Sequence, residues 1–378
     1  MTRPVVHLCA TPTPYRNAEW DYAARHLGPE RVRLIFVDDF YDTACWSPQF
    51  PRVCPFNTIN GSSEHGGLPL EELPAYLDRL NPLVVIVSGY LQRAYLDTMR
   101  WCRRRRVPYC LRSAGNIYLD RYKGLLRYLV RRVRLGRWVH GADRVLVTGT
   151  YNRRFWQRYG MTPQQEFWFP QWIDYELFRQ GRHLRETQHD ELRRQFNIQP
   201  PVTIFTAGRI LQLKRIDLLC EALLRLDDRV GLVVAGHGEL EAELRQRYAE
   251  RLGPRLMFVG DVEPADLPKW YAATDIYALA SAHRDMWAHV ITEAGTSAMP
   301  ILCNYRTGAA GDLLIDGKNG FALRTQEPGE WAQAIGRLVD DDDLRRRMGA
   351  ESARIVDAWE ERSNPAQCIQ GLIDLYSK

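Results

Sequence analysis

The sequence predicts an α/β protein of two doubly wound, Rossmann-like domains facing across a cleft, and three observations lead there. Short β-rich runs alternate with longer helical ones along most of the chain. The strands are unbroken apolar runs, such as 82–88 and 230–235, the pattern of parallel strands covered on both faces. The alternation lapses around 169–172 and restarts near Pro201, and 378 residues suffice for two cores.

Taken in order, 5–9 is a strand, Asn17 the expected N-cap, and 19–27 a helix stopped by Gly28. Strands follow at 31–37 and 82–88, a helix at 94–104, an extended run at 108–111, a helix at 124–139 and a strand at 144–147. Residues 152–159 give a helix before Gly160. Between 38 and 74 the pattern gives way to Pro, Gly, Asn and aromatics, the long irregular kind of segment that often carries function. There Trp46, Phe50, Phe56 and His65 either shape a binding site or pack under the loop. Residues 1–172 are thus expected as a first domain, 173–200 as a polar linker and 201–359 as a second domain. In the second, strands are expected at 202–207, 230–235, 256–259, 275–279 and 301–304, with helices at 216–226, 240–252, 290–297 and after Trp331. The acid run 340–343 is expected at a helix start rather than around a metal.

Composition narrows the class. Apolar residues at 45% and charged residues at 26% are ordinary for a globular protein, and no apolar run approaches the ~18–20 residues of a membrane span. The start, MTRPVVHLCATPTP, turns to proline too soon for a signal peptide. Eight cysteines without CxxC pairs or zinc spacing are expected as buried thiols, so the expected location is cytoplasmic, in part peripheral to the membrane. Net charge is only +5, yet 100–137 holds thirteen Lys/Arg against one acid, Asp120. With Trp101, Tyr122, Leu125, Leu126, Leu129, Val130 and Val133 interleaved, the segment suits an anionic membrane surface. A solvated face in an arginine-biased chain, with only five Lys among 51 basic residues, is the alternative. No nucleic-acid module is visible, and nucleic acid is not expected as a partner.

The chemistry concentrates in two places. In TAGRILQLKRIDLL a strand runs into Gly208-Arg209 and then Lys214-Arg215. A diphosphate leaving group needs such cations, Arg as a fork and Lys as a mobile point charge. Gly208 lets the backbone approach a ligand, whereas surface charges opening a helix are the plainer reading. In SAHRDMWAHVITEAG, Asp285 and Glu293 stand eight apart, after an apolar strand and within a short helix. Such acids accept hydrogen bonds from sugar and ribose hydroxyls, and amides near Ala288, His289 and Val290 can meet phosphate as helix N-termini do. Two acids at that spacing alone are more often structural. Gly236 and Gly238, after a Val-rich strand, make either a ligand-side turn or an ordinary strand–helix turn. His283 and His289 are either donors to a ligand or packing histidines.

These residues carry a resemblance. TAGRILQLKRIDLLCEAL, VVAGHGEL, FVGDVEPADLPKWYAATDIYALAS, the D-x-W-x-x-V-x-x-E-A run and DGKNGFAL are similar to the retaining family-4 glycosyltransferases of the GT-B fold. PLVVIVSGY, VPYCLRSAG, GTYNRRFWQRYGM and FWFPQWIDYELF extend the resemblance more faintly into the first half. It implies metal-independent transfer with retention, a UDP- or GDP-sugar as donor substrate in the second domain, no cofactor, and a glycan or lipid-linked acceptor in the first. It also implies a final helix, within 360–378, crossing back to the first domain. By position, Arg209 and Lys214 match the diphosphate cations, Asp285 the sugar-contacting acid and Glu293 the ribose acid. Gly208, Gly236, Gly238, Ala288, His289, Val290 and Val262 match backbone positions around the donor, and Tyr15, Arg112 and Asn116 match the acceptor side. Asp285 stands where the family has Glu, and Ala288 where it has Gly. These two departures motivate the rival expectation, a catalytically inactive scaffold acting as a binding or assembly subunit.

Overall fold

The computed structural model describes residues 2–38, 50–59, 67–118, 124–282 and 285–377, the side chain of Arg127 excepted. Trp46, His65, Asp120, Tyr122 and His283 lie outside the described residues. The chain divides into two compact units, Met1–Ile173 with Arg362–Lys378, and Asp174–Glu361.

The first unit holds β1 (Val5–Cys9), β2 (Val32–Phe36), β3 (Phe56–Thr58), β4 (Val84–Val87), β5 (Tyr109–Arg112), β6 (Arg144–Val147) and β7 (Glu166–Trp168). They pair in parallel in the order β3-β2-β1-β4-β5-β6-β7. Alternate residues feed two cores, because side chains alternate along a strand. Val6, Leu8, Val85 and Val87 pack with Met99, Trp138 and Phe155 on one face. Val5, Leu34, Val84 and Ile86 pack with Trp20, Ile369 and Leu372 on the other. Ile369 and Leu372 come from helix Pro365–Tyr376, so the C-terminal end of the chain completes the first unit's core.

The second unit holds β8 (Val202–Ala207), β9 (Val230–Ala235), β10 (Leu256–Gly260), β11 (Ile276–Leu279), β12 (Ile301–Asn304) and β13 (Gly320–Leu323), ordered β10-β9-β8-β11-β12-β13. One face is aliphatic, with Ile204, Leu232, Val234 and Ile276 against Leu219, Leu223 and Ile335. Phe205, Tyr277 and Tyr271 form an aromatic group elsewhere in the unit, with centroids 5.0 to 6.3 Å apart. Both units are therefore α/β with parallel sheets, as the unbroken apolar strands predict.

Three expectations need correction. Helix Pro14–Leu27 starts before Asn17, because Thr13 is its N-cap and Pro14 fixes the first helical φ. The segment expected as a polar linker is instead helix Tyr175–Gln195, capped by Asp174. Few of its residues are buried apolar ones, so no hydrophobic period betrays it. Arginines hold it: Arg182 pairs with Asp357 at 2.9 Å, and Arg193 with Asp275 at 3.1 Å. Arg185 donates to the Tyr271 and Ser297 carbonyls, and burial lowers its pKa to about 10. The irregular stretch 38–74 likewise contains β3 and the 3-10 turn Leu70–Glu72, and helix Leu73–Leu80 begins at its end.

Seven described cysteines are free and buried. Burial raises the Cys220 and Cys303 thiols to about 12, so both stay protonated and unreactive. No helix among the described residues is long and apolar enough to cross a membrane.

Candidate active site

Strand order in the second sheet reverses between β8 and β11. Loops leaving the C-terminal ends of neighbouring parallel strands diverge at such a reversal and leave a crevice, the usual ligand position in open α/β sheets. Both sequence-predicted charge clusters arrive there. The loop after β8 carries Gly208, Arg209 and Lys214, and the loop after β11 carries Asp285.

The first loop turns at Gly208, whose φ of +136° suits glycine, and ends in a 3-10 turn, Gln212–Lys214. A Cβ on Gly208 would meet, among the described residues, only Lys214 Cε, at 3.8 Å, so the space above Gly208 is open apart from the Lys214 side chain. Ala282 N donates to Leu213 O at 2.9 Å and ties the two loops together. Lys214 Nζ then lies 2.8 and 2.9 Å from the two oxygens of Asp285. Their side chains are 20% and 15% exposed, so the pair is partly desolvated yet reachable. The sequence assigns the cation to a diphosphate and the acid to sugar hydroxyls. The structure joins them directly, because facing loops deliver opposite charges to one crevice. Arg209 is half-buried on the same loop.

The glycines of the next loop have a packing reason of their own. A Cβ on Gly236 would lie 2.3 Å from Gly208 O, and one on Gly238 would lie 2.3 Å from Ile210 O. They are glycine because the 208–210 backbone passes over them, which stacks the loops after β8 and β9. Ile210 N donates to His237 O at 2.8 Å, and Gly236 N to Gly260 O at 2.6 Å, joining the loop after β10 that bears half-buried Val262. His237 is exposed and paired with Glu241 at 2.8 Å, a hydrogen bond that raises its pKa.

Beyond Asp285 the chain is pinned rather than free. Gly308 N donates to Asp285 O at 3.1 Å, and Ala309 N to Trp287 O at 2.9 Å. A Cβ on Gly308 would sit 1.7 Å from Met286 O, so only glycine allows that crossing. Trp287 is buried and stacks on Trp359 with centroids 5.2 Å apart. Ala288 follows with φ +69° and ψ +81°, a left-handed conformation that a side chain disfavours, and caps helix His289–Thr296. His289 and Val290 are half-buried in its first turn, where amides point outward as at any helix start.

Glu293 is not an open acceptor. It is fully buried one turn into that helix, and its Oε2 accepts from Tyr271 Oη at 2.7 Å. Burial in this aromatic group, with the Glu293 charge beside it, also holds the Tyr277 hydroxyl protonated.

Of the expected acceptor-side residues, Arg112 and Asn116 are buried. Arg112 donates both terminal nitrogens to Glu19, at 2.8 and 2.7 Å, with its guanidinium 4.3 Å over the Phe169 ring. Asn116 is buried, its Oδ1 accepting from Tyr118 N at 2.9 Å. Tyr15 is half-buried in the first turn of helix Pro14–Leu27. Phe50 and Phe56 stack on each other at 5.1 Å, which is packing. Sequence reasoning missed Tyr271, Trp359 and Gly308. Only Gly308, in a TGAAG run, left a signal that could have been read. A recess of about 430 Å³ lined by Pro200, Asp228 and Arg255 lies at the opposite, N-terminal ends of these strands, away from the charged groups.

Comparison with known proteins adds to this geometry. Residues 188–354 match the family model described as glycosyl transferases group 1. The D-inositol 3-phosphate glycosyltransferase of Xylanimonas cellulosilytica is 30% identical over 191 residues, 48% of this chain and 43% of that protein. Spore coat protein SA of Bacillus subtilis is 24% identical over 55% of each chain. The chain thus spans about half or less of the length of these relatives. Among solved structures, Anabaena HepE in complex with UDP superposes with a TM-score of 0.77 at 16% identity, over 99% of both chains. Sucrose-phosphate synthase of Thermosynechococcus elongatus gives 0.74 at 18% identity, over 99% of this chain and 100% of that one. Likeness at that identity speaks to fold alone, and the fold is GT-B, two Rossmann-like units.

Proposed function

We propose, from the match of residues 188–354 to the family model described as glycosyl transferases group 1, that the chain is a retaining glycosyltransferase. It moves a sugar from a UDP-sugar to a hydroxyl of a glycan or lipid-linked glycan. The observation that carries this reading is the Lys214–Asp285 pair at the strand-order reversal, 2.8 Å between charges. A nucleotide sugar presents a diphosphate, which needs a cation, next to sugar hydroxyls, which need acceptors. UDP is favoured over GDP because HepE has been solved with UDP and with UDP-glucose.

In the proposed reaction the bond from the anomeric carbon to the diphosphate oxygen breaks, and UDP leaves with the electron pair. Lys214 and Arg209 neutralise the charge that develops, so the chain's own cations serve where other transferases use a metal. The acceptor oxygen bonds to the anomeric carbon on the face that UDP leaves, and its proton passes to the departing phosphate. Lys214 must exchange Asp285 for phosphate when the donor binds. Asp285 then turns its carboxylate to the sugar hydroxyls. An intact donor satisfies both partners, whereas UDP alone strands Asp285, so re-pairing after transfer helps expel UDP.

The test is turnover of a UDP-sugar panel with glycan acceptors. Lys214→Met is expected to lower turnover by about 10²-fold or more, the scale for removing one group that stabilises leaving-group charge. Nucleotide binding with no transfer to any acceptor would instead favour the non-catalytic scaffold.

A further inference from the structure

The basic segment 100–137 plays no part in the donor site, and the structure divides it. Arg112 turns inward to Glu19, while Arg100 and 103–106 are exposed on and just past helix Arg93–Arg105. The rest lies on helix Leu125–Gly141, whose seventeen residues include no acid.

That helix has two apolar faces. Leu135, Trp138 and Val139 are buried in the first unit's core. On the opposite side Leu125, Leu126 and Val133 are 74 to 75% exposed, and Leu129 and Val130 are 47% and 44% exposed. At 3.6 residues per turn, 125, 129 and 133 form one row and 126 and 130 the adjacent row, a stripe more than two turns long. Five of the ten large apolar residues exposed in the described chain sit on this stripe. Exposed Arg132 borders one edge and exposed Arg134 the other, and exposed Arg137 follows one turn beyond Val133 at the end of the stripe. Arg131, on the buried side, is instead held by Tyr90 Oη and the rings of Phe155 and Tyr159.

We propose that helix Leu125–Gly141 lies on an anionic lipid surface, its apolar stripe among the acyl chains and its bordering arginines at the lipid phosphates. An apolar row flanked by cations on both sides matches a flat boundary between hydrocarbon and anionic headgroups. A second copy of this chain is a poorer occupant, because a two-fold contact would bring the arginines together with no acid on the helix to offset them. The contact is independent of the glycosyl-transfer reading and needs no donor to be seen.

The experiment is co-sedimentation of the full chain with vesicles of phosphatidylcholine alone or mixed with phosphatidylglycerol. Binding is expected to the mixed vesicles, at least about tenfold stronger than to neutral ones, and to weaken with salt. Replacing Leu125, Leu129 and Val133 together by Ser leaves the charge unchanged and is expected to weaken binding about tenfold or more. Replacing Arg132, Arg134 and Arg137 by Gln is expected to remove the salt dependence. All six side chains are exposed, and an unchanged unfolding midpoint checks that each variant is folded. Equal binding to both vesicle types overturns the proposal, as does full binding by the Ser variant. So does a dimer, abolished by the Ser changes, in a chain that ignores vesicles.

Discussion

At the scale of single residues, the Lys214–Asp285 pair makes an unusual demand: removing an acid should tighten a product. Asp285→Asn frees Lys214 for phosphate, so UDP affinity measured by calorimetry is expected to rise while turnover falls. Weaker UDP binding in that variant would contradict the exchange. Ala288 supplies a second case. A left-handed Ala costs roughly 1–2 kcal/mol and glycine's extra unfolded freedom offsets about half of that. Ala288→Gly is therefore expected to stabilise the chain by about 0.5–1 kcal/mol in denaturant titration, and a loss would show that the strain is absent. For Glu293 the comparison is with Tyr271. If the buried carboxylate only holds Tyr271, Glu293→Gln and Tyr271→Phe both cost about 1–3 kcal/mol of stability and leave UDP affinity alike. A loss of UDP affinity in the first variant only would restore a ribose contact. The charged residues were legible because each follows an apolar strand. Their pairing was not, since nothing in one sequence states that β8 and β11 are neighbours.

At the scale of elements, what the sequence withheld follows from how elements are held. Helix Tyr175–Gln195 escaped notice because arginines, not an apolar stripe, bind it to its unit. β3 and β7 escaped because each has three residues and lies at a sheet edge. The central strands β1, β8, β9 and β12 were legible to the residue, since both faces are buried and both must be apolar. The loop bearing Asp285 depends on an element far away in sequence. Trp287 stacks on Trp359 of helix Asp342–Ser363, which no local pattern could reveal. Trp359→Ala is expected to cost about 3–5 kcal/mol and to weaken UDP-sugar binding by loosening that loop. Full affinity in a destabilised but folded Trp359→Ala would show that the loop holds its shape alone.

At the scale of the whole molecule, the two sheets share an order of strands and a reversal, yet use it differently. Where the second places an accessible ion pair, the first buries His7, whose Nε2 lies 2.6 Å from Ser88 Oγ. Burial, then Arg112 and Arg16, hold the His7 pKa well below its ordinary value. The unfolded chain therefore binds a proton at His7 below about pH 6.5 that the folded chain refuses. Stability from this source is present above that pH and is lost as pH falls from about 6.5 toward the folded pKa. His7→Asn is expected to flatten this part of a stability–pH curve, and an unchanged slope would assign it to other groups. The central claim, a nucleotide-sugar site on the second unit, is tested most directly by thermal unfolding against UDP, GDP, ADP, TDP and CMP, with Arg209→Ala as control. At a hundredfold over its dissociation constant the right nucleotide adds roughly 2.7 kcal/mol. The account predicts an upward shift with UDP that Arg209→Ala abolishes, and no shift with any nucleotide would contradict it.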